Sequence, residues 1–230
     1  MIYCLKESYA LLKGGENVTH LFFDLDGTLL DSLEGIVNAF ASVMDHFSLP
    51  YTSPNEFRCV VGPPLYSCFP LFGIPKDKSK EALDVFQAYY ASRGVYENAL
   101  YEGAEDALRQ LKDAGVHLYI VTGKPQRFAE MILSRLGILS LFEGIVGADM
   151  EEKSVEKEAL LAKMLSEAHL TPSEEMAMVG DRSYDIIGGK ALKIKTVGVL
   201  WGIGTEKELR DAGADIVLSE IKELSRLHLL

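Results

Sequence analysis

The sequence has little cysteine and no hydrophobic run long enough to cross a membrane. Its three cysteines, Cys4, Cys59 and Cys68, are odd in number and form no CxxC pair. This usage argues against a disulfide framework or a zinc site, and it favours a reducing, cytoplasmic location. No apolar run approaches the ~18 residues of a membrane span. The N-terminal segment is a poor signal peptide, because charged residues interrupt its apolar part.

Basic residues are also scarce. The chain carries 23 Lys and Arg against 34 Asp and Glu, a net charge of −11. Nucleic acids and anionic membrane surfaces require basic patches, so the composition argues against both as partners. A small anionic substrate stays compatible, because a local site can oppose the net charge of the whole protein. The chain has 230 residues, of which 48% are hydrophobic, so a sizeable core is expected.

One stretch near the N-terminus stands out. The apolar run 21–23 is followed by two acids, Asp24 and Asp26, and then by Gly27 and Thr28. Such a run favours a buried parallel strand, and open α/β sheets bind ligands at the turn after such strands. Alternate residues of an extended chain point the same way, so both carboxylates would face one pocket. Like charges so close repel unless a metal ion or a shared proton compensates. An ordinary acidic turn is the alternative at this point, since Asp and Gly dominate turns.

The next part of the chain predicts helices alone. Apolar residues recur at helical spacing after Asp31 and Ser32, either of which can cap the helix. Residues 53–56 have the pattern of a capping box with proline at the first helical position, and residues 76–93 predict a longer helix. No strand is evident from position 32 to about 98. We call residues 32–98 the helical insert.

A different pattern begins at Tyr101, where strands and helices alternate. Helices are predicted between the strands, and one of them, from about 155 to 168, has Ser154 as its cap. Five alternations of this kind predict an α/β fold with a parallel, doubly wound sheet. The predicted strands are residues 116–121, 144–147, 176–179, 195–199 and 216–217.

Polar residues follow most of these strands. Because the carboxyl ends of parallel strands meet at one edge of a sheet, we expect these side chains to converge. Each has an ordinary explanation by itself: Thr122 as a cap, Lys157 as a solvated lysine, and the acids as residues favoured by a helix dipole. Their joint occurrence favours a single site instead. The residues expected to converge are Asp24, Asp26, Thr122, Gly123, Lys157, Asp181 and Asp185, and no role follows from the sequence for Lys124, the residue after Gly123.

These residues resemble the four motifs of the haloacid-dehalogenase-like superfamily, specifically those of its phosphatases. The matching segments are Asp24-Leu25-Asp26-Gly27-Thr28, Thr122, Lys157, and Gly180-Asp181-x-x-x-Asp185. The resemblance covers everything after Val18. The insert is similar to the small helical cap of the phosphoglycolate-phosphatase-like branch, on the basis of residues 57–58, 61–65 and 89–94. Family members usually have a proline after the third-motif lysine. Here no proline follows Lys157 or its alternative, Lys153.

The resemblance implies a division of the chain. A Rossmann-like catalytic core would comprise residues 18–31 and 99–230, the cap would comprise residues 32–98, and residues 1–17 would form an N-terminal extension.

The resemblance also implies roles for the site residues. Asp24 would be the nucleophile that forms an aspartyl-phosphate, and Asp26 the general acid and base. Thr122, the Gly123 N–H and Lys157 would hold the phosphoryl oxygens.

A magnesium ion is expected from the charges as well as from the resemblance. Four acids and a phosphate exceed the positive charge of Lys157 and Arg58, so a cation is required. Oxygen ligands suit Mg²⁺. The implied ligands are Asp24, the backbone carbonyl of Asp26, and Asp181, with Asp185 orienting the metal's surroundings.

The substrate is left open by the sequence. A phosphatase is expected to act on a small phosphorylated metabolite, with phosphoglycolate, a nucleoside monophosphate and a sugar phosphate all compatible. Arg58 and the turn at residues 62–64 are candidates for facing that substrate. A phosphomutase keeps both acids of the first motif and is the main alternative. A non-catalytic phosphate-binding or regulatory module is a further one, although it predicts the loss of a catalytic acid.

Overall fold

A parallel six-stranded sheet forms the centre of the molecule. The computed structural model describes residues 17–151 and 156–230. The strands of this part are β1 (His20–Phe23), β2 (Leu30–Asp31), β3 (Ala99–Leu100), β4 (His117–Pro125), β5 (Gly144–Ala148), β6 (Met176–Gly180), β7 (Lys195–Val199) and β8 (Ile216–Leu218). Six of them pair in the order β5-β4-β1-β6-β7-β8, and every pairing is parallel. The predicted α/β fold with a doubly wound parallel sheet is therefore confirmed.

Helices connect the strands and cover the sheet. The α-helices of the described residues are α1 (Leu33–His46), α2 (Leu65–Cys68), α3 (Ser79–Tyr89), α4 (Ala104–Asp113), α5 (Gln126–Arg135), α6 (Lys157–Glu167), α7 (Ser183–Ala191) and α8 (Glu206–Asp211). Short 3₁₀ helices occupy Pro54–Val60, Phe69–Phe72, Lys76–Lys78, Leu139–Leu141 and Ile221–Leu229. None of the helices in the described ranges combines the length and the apolar character needed to span a bilayer.

Strand β1 lies at the centre of the sheet and supplies both faces of its core. Leu21 and Phe23 belong to one hydrophobic cluster, whereas Phe22 belongs to the other. All three side chains are fully buried. This alternation follows from the period of two of an extended chain, and burial on both faces explains why the strand reads as a continuous apolar run.

The helical insert leaves and re-enters the sheet domain through a two-stranded ribbon. Leu30 pairs with Leu100 and Asp31 with Ala99 in antiparallel β2 and β3. Every element between Leu33 and Gly94 is helical. The division into core and cap at 31/32 and 98/99 stays a prediction. The ribbon supports it, because Asp31 and Ala99 pair at these two limits. The predicted extension at 1–17 lies, apart from residue 17, outside the described residues.

Aromatic packing forms the interior of the insert. The ring of Phe40, on α1, lies 4.9 Å from that of Phe57, 5.7 Å from Phe69 and 5.0 Å from Phe72, measured between ring centroids. The side chain of Phe40 is completely buried. Tilted and edge-on aromatic contacts of this kind add to the free energy gained by burial.

Some local predictions were wrong in detail. The helix predicted over residues 76–93 is divided into a 3₁₀ turn, α3 and a π-helical turn at Tyr90–Gly94. Ser53 accepts a hydrogen bond from the Asn55 N–H, but it begins a 3₁₀ helix. Glu56 accepts from the Thr52 N–H, so the reciprocal half of the predicted capping box is missing.

The caps of two other helices need separate comment. Ser32 occupies the N-cap of α1, yet its side chain makes no capping hydrogen bond, whereas Asp31, the other predicted cap, accepts from the Leu33 N–H at 3.4 Å. The predicted cap Ser154 lies outside the described residues, and α6 begins at Lys157 with Glu156 at the N-cap. Tertiary contacts decide helix ends more strongly than local sequence does.

We expect Phe40→Ala to lower the free energy of unfolding by about 3–5 kcal/mol, because it leaves a cavity among packed aromatic rings. Urea denaturation followed by circular dichroism measures the change. Leu71→Ala is the matched control, since Leu71 is 78% exposed and its loss is expected to change stability by less than about 0.5 kcal/mol. Equal losses for the two variants would contradict the assignment of Phe40 to the core of the insert.

Candidate active site

The turn after β1 places its carboxylates beside those that follow β6. Gly27 has a φ of +80°, a conformation that favours glycine. A Cβ at this position would lie 2.5 Å from Oδ2 of Asp181, so glycine is also required for the close approach of the two segments. The Thr28 hydroxyl donates to Oδ1 of Asp181 at 3.2 Å. Gly27 therefore permits both the tight turn and the approach of Asp181, which the Thr28 hydroxyl holds in place.

Three carboxylates form a cluster that suits a divalent cation. Oxygens of Asp24, Asp181 and Asp185 lie within 4.8 Å of one another. Burial, together with the charges of Asp185 and Asp24, raises the pKa of Asp181 to about 7. The cluster is therefore electrostatically strained without a cation, and hard oxygen donors are those that Mg²⁺ prefers. The side chain of Asp26 stands outside this group, so its predicted contribution would come from the backbone carbonyl.

Asp181 is held in one orientation by the backbone as well. Its Oδ2 accepts a hydrogen bond of 2.8 Å from the Ile203 N–H, on the loop after β7. That loop thus supports the cluster from a third strand end, a contribution that the sequence did not predict.

Lys157 connects the cluster to the neighbouring strand. Its ammonium lies 2.9 Å from Asp24 Oδ1 and 2.9 Å from Asp185 Oδ1, and it donates to the Val121 carbonyl at 2.9 Å. The contact with Asp185 is an ion pair rather than a well-aligned hydrogen bond, since Oδ1 has no regular hydrogen-bond partner. Burial opposes the charge of Lys157, but Asp185 and Asp24 outweigh it and raise its pKa. Lys153, the alternative, lies outside the described residues.

Lys124 is a site residue that the sequence reasoning did not select. It is buried, and its ammonium lies 2.8 Å from Asp26 Oδ2 and 2.7 Å from the Tyr90 hydroxyl. Burial opposes its charge, yet the carboxylate of Asp26 outweighs that effect and raises the pKa of Lys124. Its position in the sequence could have identified it, because Lys124 lies two residues after Thr122 at the end of the same strand and alternate strand residues point to the same side.

Asp26 and Thr122 present their remaining polar atoms to this region. Oδ1 of Asp26 is buried and has no hydrogen-bond partner among the described residues. The hydroxyl of Thr122, 1% exposed, accepts from the Lys124 N–H at 3.2 Å. A buried carboxylate oxygen with no partner is rare, and here it belongs to a residue that lines a cavity.

A cavity of about 200 Å³ lies between the insert and the strand ends. The core contributes one part of its lining: Asp24, Asp26, Thr122, Gly123, Lys124, Lys157 and Asp185. The insert contributes the turn at 62–64, as expected. Arg58 is exposed and does not line the cavity. Its role in facing a substrate therefore stays a prediction.

Two hydrogen bonds join the insert to the core beside the cavity. Arg182 donates to the Val61 carbonyl at 2.8 Å and to Glu208 at 2.9 Å. Gly62 permits this approach, because a Cβ there would lie 2.7 Å from the guanidinium. On the other side, the Gln87 amide donates to the Met150 carbonyl at 2.6 Å.

Residues 205–208, Thr-Glu-Lys-Glu, have the sequence pattern of a capping box, of which the structure forms one half. Thr205 accepts from the Glu208 N–H as expected. The Glu208 carboxylate does not return to Thr205; it accepts from Arg182 and from the backbone and hydroxyl of Ser183. A helix acid therefore supports the core residue that contacts the insert.

Comparison with known proteins agrees with this architecture. The chain is 37% identical over 190 residues to the tyrosine-protein kinase PtkA of Mycobacterium tuberculosis, covering 83% of this chain but only 65% of that protein. It is 32% identical over 209 residues to the pyrophosphatase PpaX of Bacillus velezensis, with 91% and 95% covered. A predicted phosphatase from Clostridium acetobutylicum has a similar solved structure, with a TM-score of 0.87 and 32% identity over 92% of this chain and 98% of that one.

A family model extends over most of the site. Residues 21–199 match the family described as haloacid dehalogenase-like hydrolase. This range contains the acids after β1, Thr122 and Lys124 on β4, Lys157, and the acids after β6. The resemblance that the motifs indicate is thus confirmed, and the chain belongs to the haloacid dehalogenase-like hydrolase family.

Proposed function

We propose that this protein is a Mg²⁺-dependent phosphomonoester hydrolase that acts on a small phosphorylated metabolite through an aspartyl-phosphate on Asp24. The observation that carries the proposal is the convergence of Asp24, Asp181 and Asp185 within 4.8 Å, beside a cavity that Asp24 and Asp185 line. The family membership and the phosphatases among the similar proteins support it.

Asp24 is the nucleophile in this proposal. Its carboxylate oxygen attacks phosphorus, forming the aspartyl-phosphate as the bond to the leaving oxygen breaks. Asp26 donates a proton to the leaving alcohol and then accepts one from the water that hydrolyses the acyl-phosphate. The partnerless Oδ1 of Asp26 supports this assignment, because an acid that exchanges protons with substrate needs an oxygen free of protein donors.

The donor set fits a magnesium ion. Asp24 and Asp181 would hold it together with the backbone carbonyl of Asp26, and Asp185 lies close enough to ligate it or to orient its ligands. When bound, Mg²⁺ screens the negative charge of the phosphoryl group from the attacking carboxylate. The hydrogen bonds from Thr28 and Ile203 keep the Asp181 carboxylate in position for this role.

Lys157 and Thr122 hold the phosphoryl oxygens. Lys157 already lies 2.9 Å from Asp24, so a phosphoryl group bound to Asp24 would be within its reach. The Thr122 hydroxyl and the Gly123 N–H lie at the same edge of the cavity. Positively charged and N–H donors at these positions stabilise the charge that develops on the transferring group.

Lys124 positions Asp26. The ion pair of 2.8 Å holds the Asp26 carboxylate from one side, and Tyr90 holds Lys124 from the insert. A positioned acid gains much of its catalytic effect from correct orientation toward the leaving group. The insert therefore contributes to the chemistry through Tyr90 as well as to the enclosure of the cavity.

The alternatives are less well supported. A phosphomutase would use the same acids but needs a second phosphate-binding position, and a non-catalytic module would be expected to lack a catalytic acid. All four predicted acids are present. The two described cysteines, Cys59 and Cys68, form no disulfide, and a cytoplasmic location stays a prediction.

We expect Asp24→Asn to reduce Mg²⁺-dependent hydrolysis of p-nitrophenyl phosphate at least about 1,000-fold, because the amide is a poor nucleophile. Release of p-nitrophenol measures the rate, and circular dichroism checks the fold. Asp113→Asn, at an exposed position on α4, is the matched control and should keep full activity. Retained turnover in Asp24→Asn would exclude Asp24 as the nucleophile.

We expect Mg²⁺ to raise the melting temperature of the wild-type protein, because it relieves repulsion within the carboxylate cluster. A ligand at 100 times its dissociation constant stabilises by about 2.7 kcal/mol. Differential scanning fluorimetry with EDTA and with Mg²⁺ measures the shift. Asp181→Asn should melt higher than wild type in EDTA and lose most of the Mg²⁺ shift. An unchanged shift in this variant would contradict the assignment of Asp181 as a ligand.

We expect Lys124→Met to lower kcat about 10–100-fold with little change in KM, because Asp26 loses its ion-pair partner. Tyr90→Phe removes only the hydroxyl and should lower kcat by a smaller factor in the same direction. Tyr89→Phe is the control, since the Tyr89 hydroxyl contacts Glu97 rather than the site. Equal kcat values for Tyr90→Phe and Tyr89→Phe would show that Tyr90 has no part in positioning Asp26.

A further inference from the structure

One wall of the cavity, formed by the insert and by α5, is apolar. Six side chains from the insert and from α5 cover it, and each is more than nine-tenths buried or is a proline. A leaving group bound there would exchange water for hydrocarbon, which is favourable only for a group that is itself largely apolar. The six residues are Ile36, Val60, Pro64, Leu65, Phe86 and Phe128.

The described cations of the cavity are already paired with acids. Lys124 contacts Asp26, Lys157 contacts Asp24 and Asp185, and Arg182 contacts Glu208, each at 2.8–2.9 Å. Four carboxylates and three cations line the cavity. A substrate that carries an anionic group besides its phosphate would find no described cation lacking an acidic partner, and such a buried charge costs several kcal/mol.

Resting on the proposed function, we propose that the preferred substrates are small phosphomonoesters whose leaving alcohol is uncharged and largely apolar. The size of the cavity limits the leaving group as well. About 200 Å³ is smaller than the roughly 300–1,000 Å³ typical of ligand pockets, so a phosphoryl group and one ring or short chain fill it.

This specificity differs from what the similar proteins suggest by name. One is a pyrophosphatase and another a phosphoglycolate phosphatase. Pyrophosphate and phosphoglycolate each carry a second anionic group, a phosphate or a carboxylate. The apolar wall offers that second group no polar partner, and the described cations of the cavity are already paired with acids, so these two compounds should be poor substrates here.

Three phosphomonoesters separate charge from size. Phosphoglycolate and its neutral amide, glycolamide phosphate, have nearly the same shape and differ in one charge, while benzyl phosphate adds an apolar ring. With saturating Mg²⁺, we expect kcat/KM to be on the order of 100-fold higher for benzyl phosphate than for phosphoglycolate. The amide should lie between the two, at least about 10-fold above phosphoglycolate.

The outcomes distinguish this inference from the proposed function. Hydrolysis of phosphoglycolate at a rate equal to or above that of its amide would overturn the inference while leaving the phosphatase activity established. Absence of Mg²⁺-dependent hydrolysis with all three esters would overturn both. The order benzyl phosphate, amide, phosphoglycolate supports both.

A charge placed in the cavity provides an independent test. Gln87 lines the cavity from the insert, and Gln87→Lys would add a cation near the leaving group. We expect this variant to lower the ratio of kcat/KM for benzyl phosphate to kcat/KM for phosphoglycolate at least about 10-fold. Gln87→Met, of similar size but neutral, removes the hydrogen bond to the Met150 carbonyl without adding a charge, and it should keep the wild-type ratio of the two kcat/KM values. Equal ratios for the Lys and Met variants would contradict a specificity based on the missing cation.

Discussion

The mutual repulsion of the buried carboxylates is the constraint on which the rest of the site depends. Asp24, Asp181 and Asp185 lie within 4.8 Å of one another, although each would be more stable in water by itself. The structure offsets that cost in several ways: a glycine turn that permits the approach, donors from Thr28 and Ile203, and the ammonium of Lys157. Since these groups come from separate strand ends, the parallel sheet is what allows them to act together.

The insert is connected to this cluster by polar contacts rather than by packing alone. Tyr90 reaches Asp26 through Lys124, and the Val61 carbonyl receives the guanidinium of Arg182. Both links combine a residue of the core with a residue of the insert. Closure of the cavity and orientation of the acid are therefore expected to change together, because a movement of α3 and its π-helical turn would withdraw the Tyr90 hydroxyl.

Sequence reasoning was strongest where a pattern is local. The alternation of strands and helices, and the polar residues at the strand ends, predicted the sheet and the convergence of the acids, Thr122 and Lys157. It missed Lys124, because a lysine after a strand has no distinguishing pattern until Tyr90, 34 positions earlier, is placed beside it. The breaks around α3 and the use of Glu208 by Arg182 were missed for the same reason, since both depend on tertiary contacts.

The ribbon formed by β2 and β3 has a consequence for how such a protein can change. The chain leaves the core and returns to it through two adjacent paired strands. The insert is therefore connected to the core along the chain at one place, this hydrogen-bonded ribbon. Its length, helix number and lining can vary while the sheet beneath keeps its register and the carboxylates keep their spacing. A change of substrate selectivity can then arise when the insert is replaced by another. The replacement would need a hydroxyl in the position of Tyr90 to keep the contact with Lys124.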